Sequence, residues 1–151
     1  MPKPSFTLRP YDSADEAAAI ELWRRTWAEA YPDIDFDARL DWWRTRWRTE
    51  LVPSNTIVVA VRAGAVLGFV TVAPATGYLD QIVVAPETWS SGMALALLDE
   101  AKRLSPAGLT LHVNMDNARA VRFYEKHGFV IQGADVNPNS GRPIYKMSWR
   151  P

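Results

Sequence analysis

The 151 residues include no cysteine, which removes disulfides, thiolate metal sites and a thiol nucleophile from consideration. Only two histidines occur, His112 and His127, too few for a histidine-rich metal centre, so no metal is expected. Net charge is absent as well: 17 Lys+Arg balance 17 Asp+Glu, leaving no global field to draw in nucleic acid or anionic lipid. No apolar run approaches the roughly 18 residues of a membrane span. Met1-Pro2-Lys3-Pro4-Ser5 has no apolar stretch behind it, so no secretory leader and a cytoplasmic location are expected. The length suits one domain over residues 1–151 with a self-sufficient core. What is over-supplied is tryptophan. The chain has 7, and Trp23, Trp27, Trp42, Trp43 and Trp47 crowd one short stretch.

Period-two alternation at Phe6 and Leu8 predicts a strand over 5–9. Ser13 followed by Glu16 fits a capping box, and behind it Ile20, Trp23, Trp27 and Tyr31 make one helical face that Pro32 ends. Leu40, Trp43, Trp47 and Leu51 repeat the spacing, predicting a second helix over 37–50 ended by Pro53. Two β-branched runs, 56–61 and 66–72, flank Ala63-Gly64 and read as an antiparallel hairpin. A third run, 78–85, leads into an amphipathic helix over 90–104, and 109–113 is again a strand. That strand–helix–strand segment predicts a parallel crossover. A helix over 117–127 closed by Gly128, then strands near 129–135 and 143–149, complete a mixed α/β layout.

Two segments carry chemistry. In Ile82-Val83-Val84-Ala85-Pro86-Glu87-Thr88-Trp89-Ser90-Ser91-Gly92-Met93-Ala94, a strand turns into a helix whose first N–H groups lack helical acceptors. With the helix dipole behind them, such groups suit a phosphate or pyrophosphate, and small Gly92 and Ala94 allow close approach. A simple turn is the plainer account. In the second segment, Asn117 and Tyr124 stand seven residues apart on one helix face, about 10 Å along the axis. This suits contact with two parts of a long ligand; a helix-terminal Asn and a buried Tyr is the purely structural account.

The run Asn117-Ala118-Arg119-Ala120-Val121-Arg122-Phe123-Tyr124-Glu125-Lys126-His127-Gly128-Phe129 resembles the pattern N-x-x-A-x-x-F-Y-x-x-x-G-F of the GNAT superfamily of acyl-CoA-dependent N-acetyltransferases. Residues 86–94 resemble that family's pyrophosphate loop, Q/R-x-x-G-x-G/A, with Trp89 at the Gln/Arg position. Ser90 and Ser91 stand where a glycine and a basic residue are usual, so the loop lacks a cation of its own. The order of elements is similar to the GNAT fold from residue 6 to 149. The resemblance implies an α/β (α+β) mixed central sheet of about six to seven strands flanked by about four helices.

It also implies acetyl transfer from acetyl-CoA to an amine by direct attack. Such an attack needs a deprotonated amine, a donor for the oxyanion and a proton for the departing thiolate. By resemblance Tyr124 is the general acid, the N–H of Val84 holds the thioester carbonyl, and Ile82 and Val84 pair with the pantetheine amides. Asn117, Ala120 and Phe123 line the pantetheine arm, while Trp89, Ser90, Ser91, Gly92, Met93 and Ala94 hold the pyrophosphate. For the base, Asp80 is the candidate, directly or through water: Tyr78, Asp80, Ile82 and Val84 alternate onto one face of their strand.

The acceptor, a small-molecule or peptide amine, would lie near the first two helices and the last loop. That nominates Trp27, Tyr31 and off-stripe Trp42, although the stripe positions also suit a core. Asp33, Asp35, Asp37 and Asp41 could attract a cationic amine or form a solvated helix entry. The family resemblance is compatible with a homodimer. Two other readings compete. One is an acyl-CoA-binding protein without turnover, suggested by the altered loop. The other is a nucleic-acid module using Arg39, Arg44, Arg46 and Arg48 among the tryptophans, which the nearby acids and zero net charge oppose.

Overall fold

The computed structural model describes residues 5–151; Met1–Pro4, the start of the segment on which the expectation about a leader rested, lies outside the described residues. Strand β1 (Thr7–Pro10) leads into a 3-10 turn and helix α1 (Glu16–Ala30). The capping box sits one residue earlier than the sequence suggests. Asp12 takes the N–H of Ala14 at 2.8 Å, and the Asp15 carboxylate takes the N–H of Asp12 at 2.9 Å. Asp15 also receives both terminal nitrogens of Arg9 at 2.8 Å, which lowers its pKa. Glu16 is thereby left free to bind Arg48 from the next helix.

That next helix is not one continuous rod. It comprises a 3-10 turn (Asp37–Arg39), α2 (Leu40–Arg46), a π turn (Trp47–Leu51) and a last α turn (Val52–Ser54) that contains Pro53 instead of stopping before it. A proline removes one helical hydrogen bond and crowds the carbonyl four residues back. The wider π register, in which the Val52 N–H reaches the Trp47 carbonyl, accommodates it.

Strands β2 (Thr56–Arg62), β3 (Ala65–Ala73) and β4 (Tyr78–Val84) form an antiparallel meander. Helix α3 (Met93–Leu104) crosses to β5 (Leu109–Asn114), and α4 (Ala118–Lys126) precedes β6 (Val130–Val136) and β7 (Pro143–Trp149). The seven strands lie in the order β1-β2-β3-β4-β5-β7-β6. Among the described residues only β4 and β5 are parallel neighbours, as the crossover predicts.

Each face has its own core. Leu79, Val84, Leu97, Leu111, Tyr124 and Met147 belong to the one beneath α3 and α4. A Cβ on Gly68 of β3 would come within 3.0 to 3.2 Å of Leu97, Met93 and the Val83 carbonyl, so its absence lets α3 settle on the sheet. The core beneath α1 and α2 is aromatic. Trp23 stacks on Trp43 at 4.5 Å, Trp43 meets Trp47 at 6.0 Å, and Trp47 meets Phe69 edge-on at 5.2 Å. Trp43 and Trp47 are fully buried, so the tryptophan excess chiefly fastens two helices to a sheet. Of the three tryptophans in the nucleic-acid reading, Trp43 and Trp47 are thereby withdrawn from stacking, while Trp42 stays exposed. Three of that reading's four arginines are held in ion pairs, Arg44 with Asp41, Arg46 with Asp80 and Glu50, and Arg48 with Glu16, and Arg39 lies over the Phe36 ring.

Candidate active site

The ladder between β4 and β5 holds a single pair, Tyr78 opposite Thr110. Gly77, at φ 77, locks this closed end: its carbonyl accepts the Thr110 N–H at 3.0 Å, and a Cβ would strike the Gly108 carbonyl at 2.7 Å. Beyond that point the strands part into a V. On the β4 wall, the Ala85 N–H turns to the Leu67 carbonyl on β3 at 2.8 Å. Strand alternation therefore aims the backbone of Val84, and of Ile82 two residues before, into the V. The indole nitrogen of Trp89 meets the Val84 carbonyl there at 3.0 Å.

A bulge interrupts the strand lower down. Thr71 pairs with Gln81 and Val72 with Leu79, so Asp80 has no partner on β3; the buried Thr71 hydroxyl accepts the Gln81 N–H at 3.0 Å. This corrects the alternation expected from the sequence. Ile82 and Val84 pack toward α3, whereas Asp80 turns to α2, where Arg46 Nη1 donates to Oδ1 at 2.9 Å and Nη2 to Oδ2. Gln81 Nε2 adds a third donor at 3.0 Å. Asp80 is thus a fully engaged carboxylate on the α1/α2 face.

Along β5, Leu109, Leu111 and Val113 point into the α3/α4 core, so His112 and Asn114 face the same side as Asp80. The Tyr78 hydroxyl and His112 Nδ1 lie 2.8 Å apart. Burial, with the Asp80 charge adding and Arg46 opposing, pushes the Tyr78 phenol up to about 12.

At the mouth of the V, Ser90 (φ 70) and Gly92 (φ 87) both take left-handed backbone, which delays the start of α3 to Met93. Ser91 Oγ caps the Met93 N–H loosely at 3.4 Å, while Ala94 lies in the first turn. The loop has no cation in sequence but gains one in space: the Arg119 guanidinium of α4 lies 3.9 Å from the centre of the Trp89 ring. Asn117 caps α4, its Oδ1 accepting the Ala120 N–H at 3.3 Å. Phe123 and Phe129 flank Tyr124 at 5.5 and 5.4 Å. Tyr124 is 7% exposed, and burial alone raises its pKa, so its proton is firmly held.

Of the acceptor candidates, Trp27 stacks on Tyr31 at 5.8 Å, but Trp42 stands apart, 46% exposed on the outer side of Trp43. The acidic stretch is a helix entry: Asp35 caps Ala38 at 3.2 Å, Asp37 meets Arg24 at 3.3 Å, and Asp41 meets Arg44 at 3.2 Å. Sequence reasoning missed His112, Asp116, Arg119 and Arg142, and assigned Arg46 only to a nucleic-acid surface. The alternation of β5 could have flagged His112; the other four act through contacts that no local spacing encodes.

The sequence pattern of the acetyltransferase (GNAT) family matches residues 17–129. This chain belongs to that family. It is an N-acetyltransferase, an enzyme that moves an acetyl group from acetyl-CoA to an amine. The peptidyl-lysine N-acetyltransferase YjaB of Salmonella typhimurium is 31% identical over 82% of this chain and 83% of its own length. The fold matches the apo-form solution structure of Escherichia coli YjaB, with TM-score 0.76, 23% identity and coverage of 95% and 97% of the two chains. It also matches the PaiA N-acetyltransferase of Thermoplasma acidophilum, solved with coenzyme A, with TM-score 0.77, 19% identity and coverage of 97% and 99%. No described helix of the acetyltransferase is long and apolar enough to cross a membrane.

Proposed function

We propose that this acetyltransferase acetylates the ε-amine of lysine side chains in peptides, with acetyl-CoA bound in the V between β4 and β5. The observation that carries this reading is the V itself. Past Tyr78 it leaves β4 backbone without a strand partner on β5, between the face whose core holds Tyr124 and the α1/α2 face. The similarity to a peptidyl-lysine enzyme supplies the acceptor class.

The backbone groups of Ile82 and Val84 pair with the pantetheine amides, and the Val84 N–H steadies the thioester oxygen as charge builds on it. The first turn of α3, with Trp89, Ser90, Ser91, Gly92, Met93 and Ala94, receives the pyrophosphate. Arg119, spread over Trp89, supplies the positive charge the loop lacks. The free amide nitrogen of Asn117, with Ala120 and Phe123, borders the pantetheine arm. Tyr124 protonates the leaving thiolate; burial keeps its phenol neutral and hence able to donate.

The amine's proton leaves on the opposite face. Asp80, the carboxylate nominated from sequence, takes it through a water, because Arg46 occupies both oxygens. One observation favours a second reading for this step. His112 is solvent-exposed on the same face, touches Tyr78 and carries imidazole, the side chain suited to proton transfer near neutral pH.

The test is transfer from acetyl-CoA to a panel of lysine peptides, followed by mass spectrometry, with pH–rate profiles of Asp80→Asn and His112→Gln. Lysine acetylation is expected. The variant that abolishes the acidic limb identifies the base. Hydrolysis of acetyl-CoA without a labelled peptide would refute the acceptor class.

A further inference from the structure

The α1/α2 face holds a cation site that the chain fills with its own arginine. Arg142, in the turn between β6 and β7, places Nη1 3.0 Å from Asp116 Oδ2 and its guanidinium carbon 5.0 Å from the centre of the Tyr31 ring. Asp116 Oδ1 accepts the Tyr31 hydroxyl proton at 2.8 Å, and the Tyr31 oxygen accepts from Asn114 Nδ2 at 3.0 Å. Trp27 backs the Tyr31 ring. The carboxylate and the aromatic face are therefore fixed by the end of α1 and the end of β5, without help from the turn that carries Arg142.

An aromatic face beside a carboxylate is the chemistry that recognises a lysine or arginine side chain. The Arg142 and Asp116 side chains are 34% and 56% exposed, so the pair is open to water and exchangeable. Asn114 lies two residues along β5 from His112, a step of about 7 Å, which places the cation site one residue's reach from the proton-transfer face.

We propose that Tyr31 and Asp116 form a subsite for a second cationic group of the acceptor, a basic residue adjoining the acetylated lysine, and that Arg142 is its internal placeholder. The attacking amine must give up its charge before it reacts, so the group held as a cation belongs to a neighbouring residue. Binding of the acceptor releases Arg142 and the β6–β7 turn from Asp116. The inference rests on the lysine-peptide reading above and narrows it to basic sequence contexts.

The test compares lysine peptides carrying arginine, neutral citrulline or glutamate beside the acceptor lysine. With the unaltered enzyme, arginine is expected to outperform citrulline about fivefold in kcat/KM, through KM. Asp116→Asn should erase that preference by raising KM for the arginine peptide to that of the citrulline peptide. Arg142→Ala, which removes the internal competitor, should widen it about threefold. Thermal melting of both variants checks that the fold is retained. Equal use of arginine and citrulline peptides by the unaltered enzyme and by Arg142→Ala, or a preference that survives Asp116→Asn, overturns the proposal while leaving lysine acetylation standing. If no peptide is acetylated, the acceptor class fails, and calorimetry of 1,5-diaminopentane against pentylamine on Arg142→Ala decides the subsite. Tighter diamine binding that Asp116→Asn abolishes supports it, and equal affinity overturns it.

Discussion

Beneath α3 and α4 the sheet buries Tyr124 among Phe123, Phe129 and aliphatic side chains, with neither a charge nor a hydrogen bond shifting its proton affinity. Beneath α1 and α2 the groups nearest the V are paired: Asp80 with Arg46, Tyr78 with His112, and Asp116 with Arg142 and Tyr31. The first arrangement holds a proton by denying the phenolate water. The second holds charges by matching them in pairs that remain partly open to water. One sheet thus separates a buried neutral phenol from a surface of matched charges.

Tyr124→Phe is the most direct way to break this contrast. It should lower kcat by a factor on the order of 100 or more while coenzyme affinity holds, as measured by steady-state kinetics and calorimetry. Unchanged kcat would remove the buried phenol from proton donation. Trp43→Ala attacks the other face by hollowing its aromatic core and should cost about 3–5 kcal/mol in urea unfolding. A loss below about 1 kcal/mol would mean that α2 does not depend on this packing.

Alkaline unfolding sharpens the comparison. Burial holds the phenols of Tyr124 and Tyr78 above their ordinary value of 10.0, so above pH 10 the unfolded chain sheds protons that the folded chain keeps. Stability is then unaffected by these groups below pH 10 and falls as pH climbs from there toward the folded values. Tyr124 alone contributes a slope of up to about 1.4 kcal/mol per pH unit. Tyr124→Phe should flatten the decline in the urea midpoint between pH 10 and 12. An unaltered decline would contradict the buried-phenol account. The smallest effect lies in the loop: Ser90→Gly relieves left-handed backbone at φ 70 and should stabilise by up to about 1 kcal/mol, read by thermal melting.

Much of the fold was legible because it is local. The spacing of Met93, Leu97 and Ala101 states the buried face of α3, and the pattern from Asn117 to Phe129 states α4 and its Gly128 terminus. The core role of Trp23, Trp43 and Trp47 followed from the same periodicity. What escaped depends on tertiary partners. The bulge that rotates Asp80 away from Ile82 arises from pairing with Thr71 and Val72, and the ion pair it makes spans 34 residues of sequence. The π turn that admits Pro53 is likewise set by packing. Arg119 reaches Trp89 only because α4 docks beside the α3 loop.

The lone rung at Tyr78 and Thr110 has a mechanical consequence. Strands β1 to β4 form one antiparallel plate and β5, β7 and β6 another, each bonded along its length, and the seam between them is hinged at one end. A ligand whose amides bridge that seam acts as a keystone. It turns two plates into one slab, so coenzyme binding should slow amide exchange in both plates together, including at positions it never touches.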